Sequence, residues 1–166
     1  MLGNLDEARE KMDRLSHYTI HSIEQPLAPG RPDALARLCY DSAIPVALDE
    51  ELIGKTDPRE QDQLLSLVRP AYVILKPGLL GGFSAAARWV ALAEKYGAGW
   101  WITSALESSV GLNAIAQWTF QLGVDRHQGL GTGALYTNNI ASPLEMSGEK
   151  LWYRPEKGWD LNALEG

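Results

Sequence analysis

Two rhythms of apolar residues alternate along the chain. Leu5, Ala8, Met12 and Leu15 recur at helical spacing and predict an amphipathic helix over 5–16. Ala34, Leu35 and Leu38 give a second helix, Pro32 to Tyr40, its buried face. Leu64, Leu65 and Val68 mark a third, Ser84 to Tyr96 reads as a fourth with Gly97 as its stop, and Leu112 to Phe120 as a fifth. Between the helices lie short apolar runs of strand length: Thr19 to Glu24, Val46 to Leu48, Ala71 to Leu75, Trp100 to Ile102, and a short last one near Gln128 to Leu130. Pro26 to Gly30 and the polar stretch Gly54 to Pro58 read as turns. Helix and strand alternate, beginning with a helix, which predicts an α/β fold with a parallel sheet and covering helices. At most five strands are counted. A closed (β/α)8 barrel needs eight strands and typically about 250 residues, so a barrel reading implies that its N-terminal part is missing from this chain.

Size and charge narrow the field. A chain of 166 residues can bury a sizeable single core, and 45% hydrophobic with 22% charged residues is a globular balance. A net charge of −6 argues against nucleic acid or an anionic membrane as partner, because both call for clustered Lys and Arg. The one cysteine, Cys39, cannot form an internal disulfide and fits a reducing cytosol; within its predicted helix it reads as a packed, inert thiol. The start Met1 to Asp6 has no signal-peptide pattern and no stretch reaches membrane-span length. The expectation is a cytoplasmic, soluble protein.

Three of the apolar runs end in charge. Glu24, Asp49 and Lys76 each close a predicted strand, about 25 residues apart. In a barrel of parallel strands that C-terminal rim is where active sites are built. Two carboxylates from separate strands suit a hard cation such as Mg²⁺, which takes oxygen ligands and keeps some of its waters. A lysine at the third end can serve as acid or base if its pKa falls, or can stabilise developing negative charge. Each charge taken alone reads as a solvated strand terminus; three at the same end of successive strands point to a site. Glu50 and Glu51 remain alternatives to Asp49. His21 reads as a packed or surface histidine, and three scattered histidines with one cysteine speak against zinc.

Two further segments bear on a ligand. Lys76 to Phe83 is glycine-rich and leads from strand to helix, so it reads either as an anion cradle at a helix start or as a plain tight turn. Thr103 to Gly111 follows the tryptophan strand, and its hydroxyls and helix-start amides could hold a substrate carboxylate; capping by Ser108 or Ser109 explains the same residues. Trp89, Trp118, Trp152 and Trp159 read as packing residues without chemistry.

Taken together, Ser22-Ile23-Glu24-Gln25-Pro26, Ala47-Leu48-Asp49-Glu50, Ile74-Leu75-Lys76-Pro77 and Ser104-Ala105-Leu106-Glu107-Ser108 resemble the enolase superfamily, muconate-lactonizing subgroup. The longer strings Ile44 to Gly54, Gly99 to Ser108, Gly111 to Thr119 and Gly129 to Gly133 resemble, within it, the o-succinylbenzoate synthase family, nearly end to end. The resemblance implies the C-terminal part of a (β/α)8 TIM-like barrel, about strands 4 to 8, as one partial domain over 1–166. It implies a Mg²⁺-dependent (or Mn²⁺-dependent) lyase that dehydrates 2-succinyl-6-hydroxy-2,4-cyclohexadiene-1-carboxylate to o-succinylbenzoate in menaquinone synthesis, with a small-molecule carboxylate as substrate. In such enzymes fixed positive charge meets the enediolate formed when the α-proton leaves. Glu24 and Asp49 would be the second and third metal ligands, Lys76 the cation facing the intermediate, and Thr103, Ser104 and Gly129 would lie near the succinyl end of the substrate.

The departures are as informative. The family's first metal-binding aspartate, its Lys-x-Lys base motif and its N-terminal capping domain have no counterpart here. The expectation is a C-terminal half that alone binds Mg²⁺ poorly and is inactive, exposes sheet edges and an apolar face, and has a complementary N-terminal half as its natural partner. Two alternatives accompany it: an N-acylamino acid racemase or dipeptide epimerase of the same superfamily, and a non-catalytic remnant that folds only with a partner.

Overall fold

The computed structural model describes residues 4–133 and 135–162. The elements run α1 (Leu5–Leu15), β1 (Ile23–Glu24), α2 (Pro32–Asp41), β2 (Val46–Leu48), a 3-10 turn (Glu50–Leu52), α3 (Pro58–Val68), β3 (Tyr72–Leu75), α4 (Pro77–Leu80), α5 (Phe83–Tyr96), β4 (Gly99–Ile102), α6 (Ser109–Gln121), β5 (Leu144–Ser147), β6 (Lys150–Tyr153) and a second 3-10 turn (Pro155–Lys157). They fall into two compact units, one of residues 1–75 with 79–101, the other of 76–78 with 102–166.

In the first unit the helices start and stop where local chemistry dictates. Asn4 caps α1 by accepting from Glu7 N, Asp57 caps α3 by accepting from Arg59 N, and Pro58 opens α3 at a position where a missing N–H costs nothing. Gly97, at φ 72°, ends α5 in the left-handed conformation, with its N–H on the last carbonyls of the helix. The sheet order is β1-β2-β3-β4, with β1 parallel to β2 and β2 parallel to β3. All three residues of β2 are buried, as a central parallel strand requires. Leu35 and Leu38 of α2, Leu64, Leu65 and Val68 of α3 and Ala86, Trp89 and Ala93 of α5 supply the apolar layer, with α3 lying between α2 and α5.

The second unit holds α6 and the antiparallel hairpin β5–β6, which turns through Gly148 at φ 60°. This hairpin corrects the count of five strands. Its signal is the alternation Leu144-Glu145-Met146-Ser147 before Gly148-Glu149 and the aromatic-rich run Leu151-Trp152-Tyr153 after it. The strand expected near 128–130 is reduced to a single bridge, Thr103 with Gly129.

Two more expectations change. The strand predicted over 19–24 shrinks to Ile23–Glu24, because its neighbour begins at Val46 and Pro45 has no N–H to donate back. His21 instead stacks on Tyr72, ring centroids 4.7 Å apart, with Trp101 edge-on at 6.2 Å. Gly99 permits this cluster, since a Cβ there would lie 2.6 Å from the Tyr72 ring. The segment Lys76 to Phe83 is a single helical turn followed by Gly81 and Gly82, both at φ 91°.

Candidate active site

Glu24 and Asp49 close neighbouring strands of the first unit. The register pairs Glu24 with Ala47, and Asp49 lies two residues further along, just past the end of β2. Glu24 is exposed; Asp49 is 2% exposed. The main chain at Asp49 (φ −132°, ψ −85°) has left the strand and starts the 3-10 turn, with Leu52 N donating to its carbonyl at 3.0 Å. Asp49, Glu24 and Lys76 each interact with a partner inside the protein.

What holds the Asp49 loop is Gln25, a residue the sequence reading quoted without assigning a role. Its buried amide oxygen accepts from Asp49 N at 3.1 Å and Glu51 N at 3.2 Å, and its amide nitrogen donates to Leu27 O at 2.9 Å. The alternatives to Asp49 separate cleanly. Glu51 is turned to structural use: its Oε2 accepts from Gly30 N at 2.8 Å and its Oε1 lies 3.9 Å from Lys55 Nζ. Glu50 keeps one buried carboxylate oxygen without a hydrogen-bond partner.

Lys76, half-buried, follows β3 directly and belongs to the second unit, as do Thr103, Ser104 and Gly129. The structure brings the last three together. Gly129 N donates to Ile102 O at 2.8 Å, and Gly129 O accepts from Ser104 N at 3.1 Å and from Thr103 Oγ1 at 2.9 Å. A Cβ on Gly129 would collide with the Thr103 side chain, so the close approach requires glycine. Ser104 Oγ accepts from Leu106 N at 3.1 Å and shares a 2.5 Å hydrogen bond with Thr132 Oγ1.

These bonds limit what the hydroxyls can offer an anion. The Thr103 proton is committed to a carbonyl, whereas the Ser104–Thr132 pair uses one of its two protons internally and leaves the other to donate. Nor do the serines cap α6. Ser108 occupies the N-cap position with no side-chain bond, and Asn139 Oδ1, thirty residues on, accepts from Ser109 N at 2.8 Å. Thr132 lay within a quoted string, but nothing in the sequence flags Asn139. Glu107 ties down the same loop: its Oε2 accepts from Ala105 N at 2.8 Å, and its Oε1 is buried 2.9 Å from where a Gly78 Cβ would stand.

The donor set bears on a metal. Among the described residues no three His, Cys, Asp or Glu side chains group as a metal site. Two carboxylate residues remain, and these fit a hard cation that completes its shell with water and substrate oxygens. No helix among the described residues is long and apolar enough to cross a membrane.

Comparison with known proteins agrees with this architecture. The family model for enolase C-terminal domain-like proteins matches residues 3–158. An o-succinylbenzoate synthase of Desulfotalea psychrophila is 50% identical over 144 residues, 87% of this chain and 39% of its own length. A hydrophobic dipeptide epimerase of Roseobacter litoralis is 32% identical over 87% of this chain and 43% of its own. The crystal structure of MenC from Desulfotalea psychrophila superposes with a TM-score of 0.86 at 49% identity, covering 89% of this chain and 41% of that one. The chain thus spans about two fifths of the length of the relatives it matches, in keeping with part of a barrel. With the family model matching residues 3–158 and a relative 50% identical over 87% of the chain, the chain belongs to the enolase C-terminal domain-like family.

Proposed function

We propose that this chain is the carboxyl-terminal portion of an o-succinylbenzoate synthase-type lyase. The observation that carries the reading is the 50% identity to such an enzyme over 87% of the chain, a match that spans the strand ends bearing charge. Glu24 and Asp49 hold Mg²⁺ or Mn²⁺, which when bound supplies Lewis-acid stabilisation of negative charge on the substrate carboxylate. The Lys76 ammonium stabilises the charge that develops as the α-proton leaves, an effect that fixed cations exert strongly where water is excluded. Ser104 with Thr132, held against Gly129, offers one hydroxyl proton toward the succinyl carboxylate. The base is assigned to no residue of this chain. The substrate is a small carboxylate, the setting is cytoplasmic, and the partner is a complementary N-terminal half.

The test joins this chain to the preceding part of the Desulfotalea psychrophila relative and follows dehydration of the cyclohexadiene carboxylate. Turnover is expected with Mg²⁺, falling about 10²- to 10³-fold in Lys76→Ala, and metal affinity is expected to fall in Asp49→Asn by at least the roughly ten- to hundredfold that loss of a supporting residue costs. The similarity to the hydrophobic dipeptide epimerase supports a second reading, in which the joined protein racemises N-acylamino acids or epimerises dipeptides and does not dehydrate. A well-folded joined protein with neither activity would make the chain a non-catalytic remnant.

A further inference from the structure

Gln25 and Glu51 brace two loops against each other. The Gln25 amide has one orientation that satisfies its surroundings: its carbonyl toward the N–H groups of Asp49 and Glu51, its NH2 toward the Leu27 carbonyl. Glu51 returns the bond to the other loop by accepting from Gly30 N. Asp49 lies just past the end of β2, and its amide donates to Gln25 Oε1 at 3.1 Å. Gln25 holds φ at 35°, a conformation rare for a residue with a side chain, at the point where it reaches across.

We infer that Gln25 is a positioning residue for Asp49: by fixing the Asp49 main chain it sets the direction in which that carboxylate meets a divalent cation. This rests on the reading of Asp49 as a metal ligand. A buried glutamine with only a structural role would stabilise the loop without affecting cation affinity. Supporting side chains around metal ligands commonly contribute ten- to a hundredfold in affinity.

The experiment uses the joined protein described above with Gln25→Leu, which removes both functions of the amide, and Gln25→Glu, which still accepts from the two N–H groups but cannot donate to Leu27 O. Amide exchange at Asp49 and Glu51 is measured by NMR, and Mn²⁺ binding by electron paramagnetic resonance. In Gln25→Leu, exchange at both amides is expected to speed up about tenfold or more relative to Val73 and Ile74 in β3, with Mn²⁺ affinity falling about tenfold or more. Gln25→Glu should restore exchange at both amides to within about threefold, because its carboxylate still accepts from them.

Unchanged exchange in Gln25→Leu overturns the proposal. So does faster exchange with unaltered Mn²⁺ affinity. If Gln25→Leu does not fold, exchange at both amides more than about tenfold faster in Gln25→Glu overturns it. A joined protein that binds no Mn²⁺ sinks the metal reading, and the brace is then decided by the exchange rates.

Discussion

At position 129 there is no room for a side chain. A methyl group there would sit on the Thr103 hydroxyl and Cβ, and the neighbours on both sides are held by main-chain hydrogen bonds. Gly129→Ala is expected to cost about 1–3 kcal/mol, measured by urea denaturation, and to separate Thr103 and Ser104 from the 129–132 segment. An unchanged midpoint would show that the approach is looser than it looks. Cys39 makes an opposite case, in which a reactive group is silenced. Cys39 is half-buried, and that burial pushes its thiol up to about 12, which disfavours the thiolate at pH 8. Labelling by a disulfide reagent should be slow in the native protein and prompt in denaturant; prompt native labelling would contradict that burial.

Elements are joined by both packing and charge. Lys95 on α5 donates a hydrogen bond to Asp62 on α3, which holds the Asp62 carboxyl below its ordinary range and raises the lysine. Because the folded-state pKa of Asp62 is depressed, the pair contributes above about pH 4 and is lost as pH falls further. Both side chains are largely in solvent, so the contribution is small and screened by salt. Lys95→Met should lower the Tm slightly at pH 7 in low salt and not at pH 2; an equal drop at both would mean that packing, not charge, is responsible. At this scale the sequence was largely legible. Helices α1, α2 and α5 follow their apolar spacing and caps to within a residue or two, and β2 was read to the residue. β1 was overdrawn because Thr19 to Ser22 have strand-like residues but no partner to pair with. Glu24, Asp49 and Lys76 were legible as strand ends. Gln25, Thr132 and Asn139 were not assigned, since what makes each matter is a hydrogen bond across 24 to 30 residues.

At the scale of the molecule, the sheet among the described residues has four strands, β1-β2-β3-β4, half the number of an eight-stranded barrel. Parallel sheets are stable with both faces covered, and large apolar residues such as Tyr40, at 91%, and Phe120, at 86%, face solvent. The chain alone is expected to self-associate at micromolar concentrations in sedimentation velocity, and to do so less when the preceding part of the Desulfotalea psychrophila relative is supplied. A monomer that unfolds cooperatively would remove this expectation and weaken the half-barrel reading.

The cap on α6 sets an order of events when the chain is made. Asn139, which receives the Ser109 N–H, and Thr132 and Gly129, which secure Ser104, all lie about 25 to 30 residues behind the loop they organise. At roughly 5–20 residues per second, a ribosome needs about 1.5 to 6 seconds to deliver them. Until those residues emerge from the ribosome, residues 103–109 lack the hydrogen-bond partners that order them. A synonymous change that delays the emergence of residues 129–139 therefore lengthens this interval without altering the finished protein.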